Sequence, residues 1–445
     1  MERIWENMKQ REAELIALRR EFHKYPEGGW QEFYTTGKII EYLNQYQIPF
    51  RYGKEIANFD YMWGREEKEI EKAKKDAVSL GMNPKWIEEM EGITGVVVTI
   101  QTGKKGPTVA LRFDIDGLPE EESKQNTHKP VREHFHSEHS GYMHACGHDG
   151  HMAMGLVLTR LLFENREQLT GEIRIIFQPA EEGVRGGKSF ATGGVLDGVD
   201  YFLSGHLGMG NKTGEIVLGT YGFLATTKLD VEFFGVSSHA GAAPEKGKNA
   251  LLCACHTVLA LQTLCQDSRG ASRINVGVIQ AGSGRNVIAD YAYMQIETRG
   301  ETTEIENDLY EKALACIKGS AMMYGCEYQT TIRGSAPEAK SDEEFVKQAK
   351  KALIEAKLFE ENGKDKEVEI QILHEKKPFQ GSEDATYFMK ETQKHGGKAL
   401  YLGIGANLYA AHHNTQFDFD EKALGLGVKV YLAIIKGLCF EPKIC

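Results

Sequence analysis

From about residue 5 to 47, apolar side chains recur every three to four positions. Leu15, Ile16, Leu18, Ile39, Ile40 and Leu43 form stripes that predict two helices. Pro26-Glu27-Gly28-Gly29 breaks them with a turn. A charged stretch over 64–91 reads as surface helix inserted ahead of an apolar strand at 95–100. Two more apolar runs, 108–113 and 172–177, predict buried strands that end in polar residues. The first ends in Asp114-Ile115-Asp116-Gly117, the second in Gln178-Pro179-Ala180-Glu181-Glu182. Between them, 152–162 has the spacing of an amphipathic helix. Strands alternating with helices predict an α/β fold, a three-layer domain on a mainly parallel sheet. Polar residues at strand C-terminal ends mark the site in such sheets.

Near residue 223 the period changes. Segments 228–234, 273–279 and 291–298 alternate as half-exposed antiparallel strands do, around helices at about 247–266 and 303–324. An antiparallel sheet with two helices is an α+β unit. The α/β pattern resumes after about 338, with a helix at 343–356 and a strand at 399–402. The expected organisation is a catalytic domain formed by 1–222 and 338–445, interrupted by a lid or dimerisation domain over 223–337. Two cores suit a chain of 445 residues, which is more than one core normally organises.

Composition narrows the function. The net charge is −11 and no Lys or Arg stripe could follow a phosphate backbone, which argues against nucleic acid and an anionic membrane as partners. Residues 1–20 are charged throughout and lack the apolar core of a signal peptide, and no apolar run reaches bilayer-spanning length, so a cytoplasmic location is expected. Eight cysteines are scattered without disulfide-framework spacing; all but Cys146 are expected to be small buried hydrophobes.

The strongest chemical signal is Met143-His144-Ala145-Cys146-Gly147-His148-Asp149-Gly150-His151, which crowds three imidazoles, a thiol and a carboxylate. In an extended loop, residues two apart project to one side, so Cys146 and His148 can share a cation. His144 and His151 are read as satisfied structural histidines. Glu181 and Glu182 follow a strand that Pro179 has ended, so one carboxylate can ligate metal while its neighbour accepts a proton from water. An isolated Glu-Glu pair is also a common solvated turn; its position after a buried strand favours the chemical reading. His206 follows the apolar stretch 199–203 between glycines and reads as a third ligand. His412-His413 supplies at least one more, and spacing alone does not choose between the two.

These motifs resemble the two-metal aminoacylase and carboxypeptidase family, specifically its amidohydrolase branch, over essentially the whole chain. The Met-His-Ala-Cys-Gly-His-Asp-Gly-His motif is complete, and Gln178-Pro179-Ala180-Glu181-Glu182-Gly183 stands intact. The charged insertion, Ala271-Ser272-Arg273-Ile274-Asn275-Val276-Gly277-Val278 and Gly381-Ser382-Glu383-Asp384-Ala385-Thr386 bring the resemblance closest to members that cleave p-aminobenzoyl-glutamate. The resemblance implies Cys146, His148, Glu182, His206 and His413 as metal ligands and Glu181 as the base. It selects His413 over His412 by the spacing to Phe417. Asn414 and Thr415 depart from the Ser and Pro frequent in the family.

The resemblance further implies two divalent ions per protomer, with Mn²⁺ favoured and Zn²⁺ as the other candidate. His239, in Val236-Ser237-Ser238-His239-Ala240-Gly241, would reach the active site of a partner protomer, while Asn286 and Arg299 would grip the substrate carboxylate. The implied activity is hydrolysis of a small N-acyl amino acid, p-aminobenzoyl-glutamate foremost, with amino-acid deacetylation or dipeptide cleavage as the alternative. The implied assembly is a homodimer through the inserted domain, or a heteromer with a related B subunit. Two other classes compete. A non-catalytic metal-stabilised binding protein would be expected to lack Glu181, and a redox protein would need a second thiol near Cys146.

Overall fold

The computed structural model describes residues 8, 10–361 and 368–440. The expected start of the first helix, at about residue 5, lies outside the described residues. Helices Glu12–Lys24 and Phe33–Gln45 then follow as their apolar stripes predict.

Among the described residues, twelve strands form two sheets. β1 (Phe50–Tyr52), β2 (Val96–Gln101), β3 (Thr108–Asp114), β4 (Glu172–Gln178), β5 (Tyr201–Leu207) and β6 (Glu215–Tyr221) belong to the large one. The small sheet takes β7 (Ala225–Phe234), β8 (Ser272–Ala281), β9 (Tyr291–Gly300) and β10 (Glu327–Ala336). β11 (Ile372–Pro378) and β12 (Lys398–Ile404) return to the large sheet, whose order is β1-β2-β4-β3-β5-β12-β6-β11. Its centre is parallel, β4 with β3, β3 with β5 and β5 with β12; β2 runs antiparallel to β4, and β12 to β6.

Both faces of this sheet are covered, as the strand residues show. Val96, Val98, Ile175, Phe177, Leu203, Leu400 and Leu402 pack into one core. Their neighbours Val97, Ile176, Phe202, Ala399 and Tyr401 pack into a second core across the sheet. A period of two with both sets buried produces the apolar runs seen in the sequence and gives three layers. Each large side chain so buried contributes about 1.5–3 kcal/mol. Gly155 lets the helix His148–Glu164 press on this sheet, because a Cβ there would stand 2.8 Å from both Phe113 and Phe177.

The small sheet is antiparallel in the order β10-β7-β9-β8. Helices Ala250–Leu261 and Thr303–Tyr324 cover one face through Leu229, Val231, Phe233, Met294, Ile296, Ala313 and Ile317.

Three expectations need correction. The stretch 64–91 is two helices, Glu67–Ser79 and Pro84–Glu89, and it is not purely surface: Ile70, Ala73 and Ala77 join the main core. Four strands, β1, β6, β10 and β11, carry no signal that singled them out. Among the cysteines, Cys253 and Cys439 are buried, but Cys255 is exposed because it lies on the outer face of its helix. Among the described residues no helix is long and apolar enough to cross a membrane.

Candidate metal centre

β3 and β4 end in register, Asp114 opposite Gln178, and His206 lies near the end of β5 opposite Gly403 of β12. The loops leaving these strands therefore gather at one edge. Cys146 and His148 converge there through a turn rather than an extended loop: Gly147 has φ 93° and caps the helix that His148 begins. Positive φ suits glycine, which has no Cβ to clash. Ala180 (φ 55°), Val184 (φ 55°) and His413 (φ 59°) adopt the same region without being glycine. Each costs of order 1 kcal/mol and persists because surrounding bonds over-determine it.

Those bonds are visible. Asp116 accepts from the backbone N–H of Glu181 at 3.1 Å and of Glu182 at 2.9 Å, which fixes the paired carboxylates. The N–H of His413 donates to the Ala145 carbonyl at 2.8 Å, tying the 412–414 segment to the cysteine loop.

Ligand-capable atoms within 4.8 Å of one another form overlapping groups: Cys146, His148 and His206; Cys146, Glu182 and His413; His148, Glu181 and Glu182. All five expected ligands and the expected base thus meet in one place. His412 points elsewhere, its Nε2 on the Leu207 carbonyl at 3.1 Å. His413 is half exposed and the other ligand candidates lie deeper.

The donor set fits a cation. His148 Nε2 and Glu182 Oε1 are buried and make no hydrogen bond, although His413 Nε2 stands 3.4 Å from the latter. Orphaned buried polar atoms are rare unless something else satisfies them. His148 Nδ1 is meanwhile held by the Asp116 carbonyl at 2.9 Å, and His206 Nδ1 by the Leu207 carbonyl at 2.8 Å. A backbone bond on one ring nitrogen leaves the other aimed into the cluster. Burial, then Glu182, pushes the Cys146 thiol well up; burial, then Glu383 and Glu182, does the same to Glu181. Acidic groups that raise one another in this way are short of positive charge, which a bound metal supplies.

Beneath the cluster lies a layer of buried polar groups. His151 is satisfied as expected, donating to Asp114 at 2.6 Å and accepting from the Leu207 N–H at 3.0 Å. His144 is not: both ring nitrogens are buried without a partner, and burial lowers it to about 4, so the ring is neutral. Arg112, wholly buried, donates to Gln178, Asp114 and Asp384 at 2.7, 2.8 and 2.8 Å and lies 3.2 Å from Glu383. Glu383 and Asp384 in turn share a ligand-distance group with Glu181. Arg112 and Asp114 sit two apart on β3, a spacing that places them on one face and was available in the sequence.

The residues expected to meet substrate stand apart. His239 and Asn286 are exposed and adjacent, since His239 bridges Val287 and the Ala240 N–H bonds the Asn286 carbonyl. His239 Nδ1 accepts from the N–H groups of Gly241 and Ala242, both at 3.1 Å. Arg299, on β9, is committed to Glu297 by two hydrogen bonds of 3.0 Å.

A thiol, imidazoles and paired carboxylates at the edge of a mainly parallel sheet define a metal-dependent hydrolase. The chain belongs to Peptidase family M20/M25/M40, whose model matches residues 110–437. It is 42% identical over 426 residues to a Haemophilus influenzae homolog of one component of p-aminobenzoyl-glutamate hydrolase, covering 96% of this chain and 98% of that one. The indole-3-acetyl-aspartic acid hydrolase of Enterobacter agglomerans is also 42% identical, over 95% of each chain. An aminobenzoyl-glutamate utilization protein from Klebsiella pneumoniae superposes with a TM-score of 0.80 at 33% identity, covering 97% of both chains. The protein is a metallo-amidohydrolase.

Proposed function

We propose that the protein hydrolyses the amide bond of N-acyl acidic amino acids, p-aminobenzoyl-glutamate first among them, yielding p-aminobenzoate and glutamate. The carrying observation is that the five ligand candidates form overlapping groups at one sheet edge, with Glu181 within ligand distance of His148 and Glu182. The names of the relatives support the acidic amino acid: glutamate in one, aspartate in the other.

In this reading Cys146, His148, Glu182, His206 and His413 hold two divalent ions, Mn²⁺ favoured and Zn²⁺ the alternative. When bound, the metal pair polarises the scissile carbonyl and acidifies water. Glu181 takes the proton from the attacking water and returns it to the departing amine nitrogen. Its environment suits both tasks, because burial and the neighbouring carboxylates raise its proton affinity. Asp116 holds the Glu181-Glu182 backbone in place through the two N–H groups it accepts from.

The small-sheet unit, taken as residues 223–337, serves as lid and dimerisation surface. Val287, which bridges His239, and Val236 are exposed and support an interface on that face, with a second copy or a related B subunit. With Nδ1 accepting two N–H groups, the His239 proton sits on exposed Nε2, the right donor for the carbonyl oxygen of a substrate held by the partner protomer. Asn286 and Arg299 take the α-carboxylate, Arg299 exchanging Glu297 for it.

The test is a hydrolysis panel of N-acyl amino acids with metal-reconstituted protein. Glutamate should be released from p-aminobenzoyl-glutamate faster than neutral amino acids are released from their p-aminobenzoyl amides. No glutamate release removes the substrate assignment.

A further inference from the structure

A cleft of about 310 Å³ lies between the turn after Glu182 and the small sheet, lined among others by Gly183, Arg185, Lys228, Asn275, Gln295 and Arg333. It adjoins the metal cluster, since Arg185 Nε donates to the Glu182 carbonyl at 2.8 Å and the Lys228 charge acts on the Glu182 carboxyl.

The chain is shaped around the Arg185 side chain. A Cβ on Gly29 would sit 2.4 Å from Arg185 Nη2, and a Cβ on Gly64 would sit 2.6 Å from its Cδ. Any other residue at either position would displace the guanidinium or its stem. The side chain is half-buried, yet Arg185 has no carboxylate partner among the described residues. The acids lining the same cleft are already engaged: Asp230 lies 3.4 Å from Arg333, and Glu297 holds Arg299. Lys228 comes no closer to Glu297 than 4.0 Å. Two cations therefore face one cleft beside the reacting centre with their donors largely unspent. A planar guanidinium held in a cradle is suited to a two-oxygen anion.

We infer that Arg185, assisted by Lys228, is the subsite for the side-chain carboxylate of the substrate's acidic amino acid, and so sets the preference for glutamate or aspartate over neutral residues. This rests on the N-acyl acidic amino acid reading above and specifies where that acid is recognised. Asn275 and Gln295, on the cleft wall, supply neutral donors that tolerate either chain length without adding charge.

Two measurements on metal-loaded protein test it. The first is the ratio of kcat/KM for p-aminobenzoyl-glutamate to that for p-aminobenzoyl-glutamine. The second is calorimetric binding of glutarate against its monoamide, which needs no turnover. In Arg185→Gln both preferences should fall roughly 10- to 100-fold, as expected for one charge-assisted bidentate pair. In Lys228→Gln they should fall several-fold. A wild-type protein indifferent between diacid and monoamide, or an Arg185→Gln variant that keeps the preference, overturns the inference. Should Arg185→Gln fail to fold by circular dichroism, Arg185→Lys and Lys228→Gln decide it: unchanged preference in both overturns it, and a loss in either supports it. Wild-type protein that cleaves neither amide but prefers glutarate, with the preference lost in Arg185→Gln, would defeat the proposed reaction and leave the carboxylate subsite standing.

Discussion

The metal cluster on the large sheet and the residues proposed to meet substrate on the small sheet are built in opposite ways. Cys146, His148, Glu181 and His206 are buried, and their loops are pinned by backbone bonds to Asp116, Ala145 and Leu207. His239 and Asn286 are exposed, and Arg299 is bound to a neighbouring acid. The first region is gathered within one chain, whereas the second, in the proposed reading, is completed by substrate or a second protomer. Preorganised groups stabilise developing charge without reorganising, so they belong where the chemistry happens. Groups that engage later can make binding contingent on closure.

The contrast is broken or sharpened most strongly at the base. Glu181→Gln should lower kcat by roughly 10²- to 10⁴-fold with metal content by plasma emission unchanged; turnover within tenfold of wild type would mean another group takes the proton. His239→Ala should lower kcat by roughly 10²-fold, again at constant metal content. Mixing it with Glu181→Gln should restore activity through hybrid dimers carrying one intact site, and no restoration on mixing would place His239 in the site of its own protomer.

Smaller effects concern stability. Removing metal by dialysis against chelator should lower the thermal midpoint, with about 2.7 kcal/mol at stake when free metal stands at 100 times its Kd. An identical midpoint with and without metal would contradict the cluster's role. The buried network below the site gives a pH signature. His23 bonds Asp149 at 2.7 Å and Glu122 at 3.0 Å. Burial opposes its charge, yet those carboxylates raise it to about 9. A raised folded value means this stabilisation is whole below about pH 6.5 and is lost as pH climbs through 9, up to about 3 kcal/mol. Urea midpoints should fall over that window in wild type and stay flatter in His23→Gln. The smallest effect belongs to the small-sheet unit: Thr302 caps the helix Thr303–Tyr324 through the Ile305 N–H at 3.2 Å, so Thr302→Ala should cost about 1 kcal/mol. Metal binding should be untouched, and a change in metal affinity would show the two regions to be coupled.

The metal cluster and the buried network beneath it differed in how much their residues disclosed. Cys146, His148, Glu181 and Glu182 sit in dense local motifs, so the chain advertises them within nine residues or two. Arg112, Glu383 and Asp384 are bonded across 272 positions or so and become neighbours only through the sheet order. No local period can report that. β11 was illegible for another reason: as an edge strand it exposes most of its residues and presents Lys376 and Lys377 where an apolar run would have signalled it. The insertion at 64–91 looked like surface because Lys and Glu outnumber its buried residues, although Ile70, Ala73 and Ala77 recur at helical spacing.

β12, the last strand in the chain, lies between β5 and β6 rather than at an edge. During synthesis the earlier strands must wait with open hydrogen-bonding borders until residue 404 has emerged, and His413 follows only after that strand. Acquisition of the ions is thereby coupled to completion of the sheet. A chain cut short before β12 would leave β5 and β6 unbridged and would carry no His413.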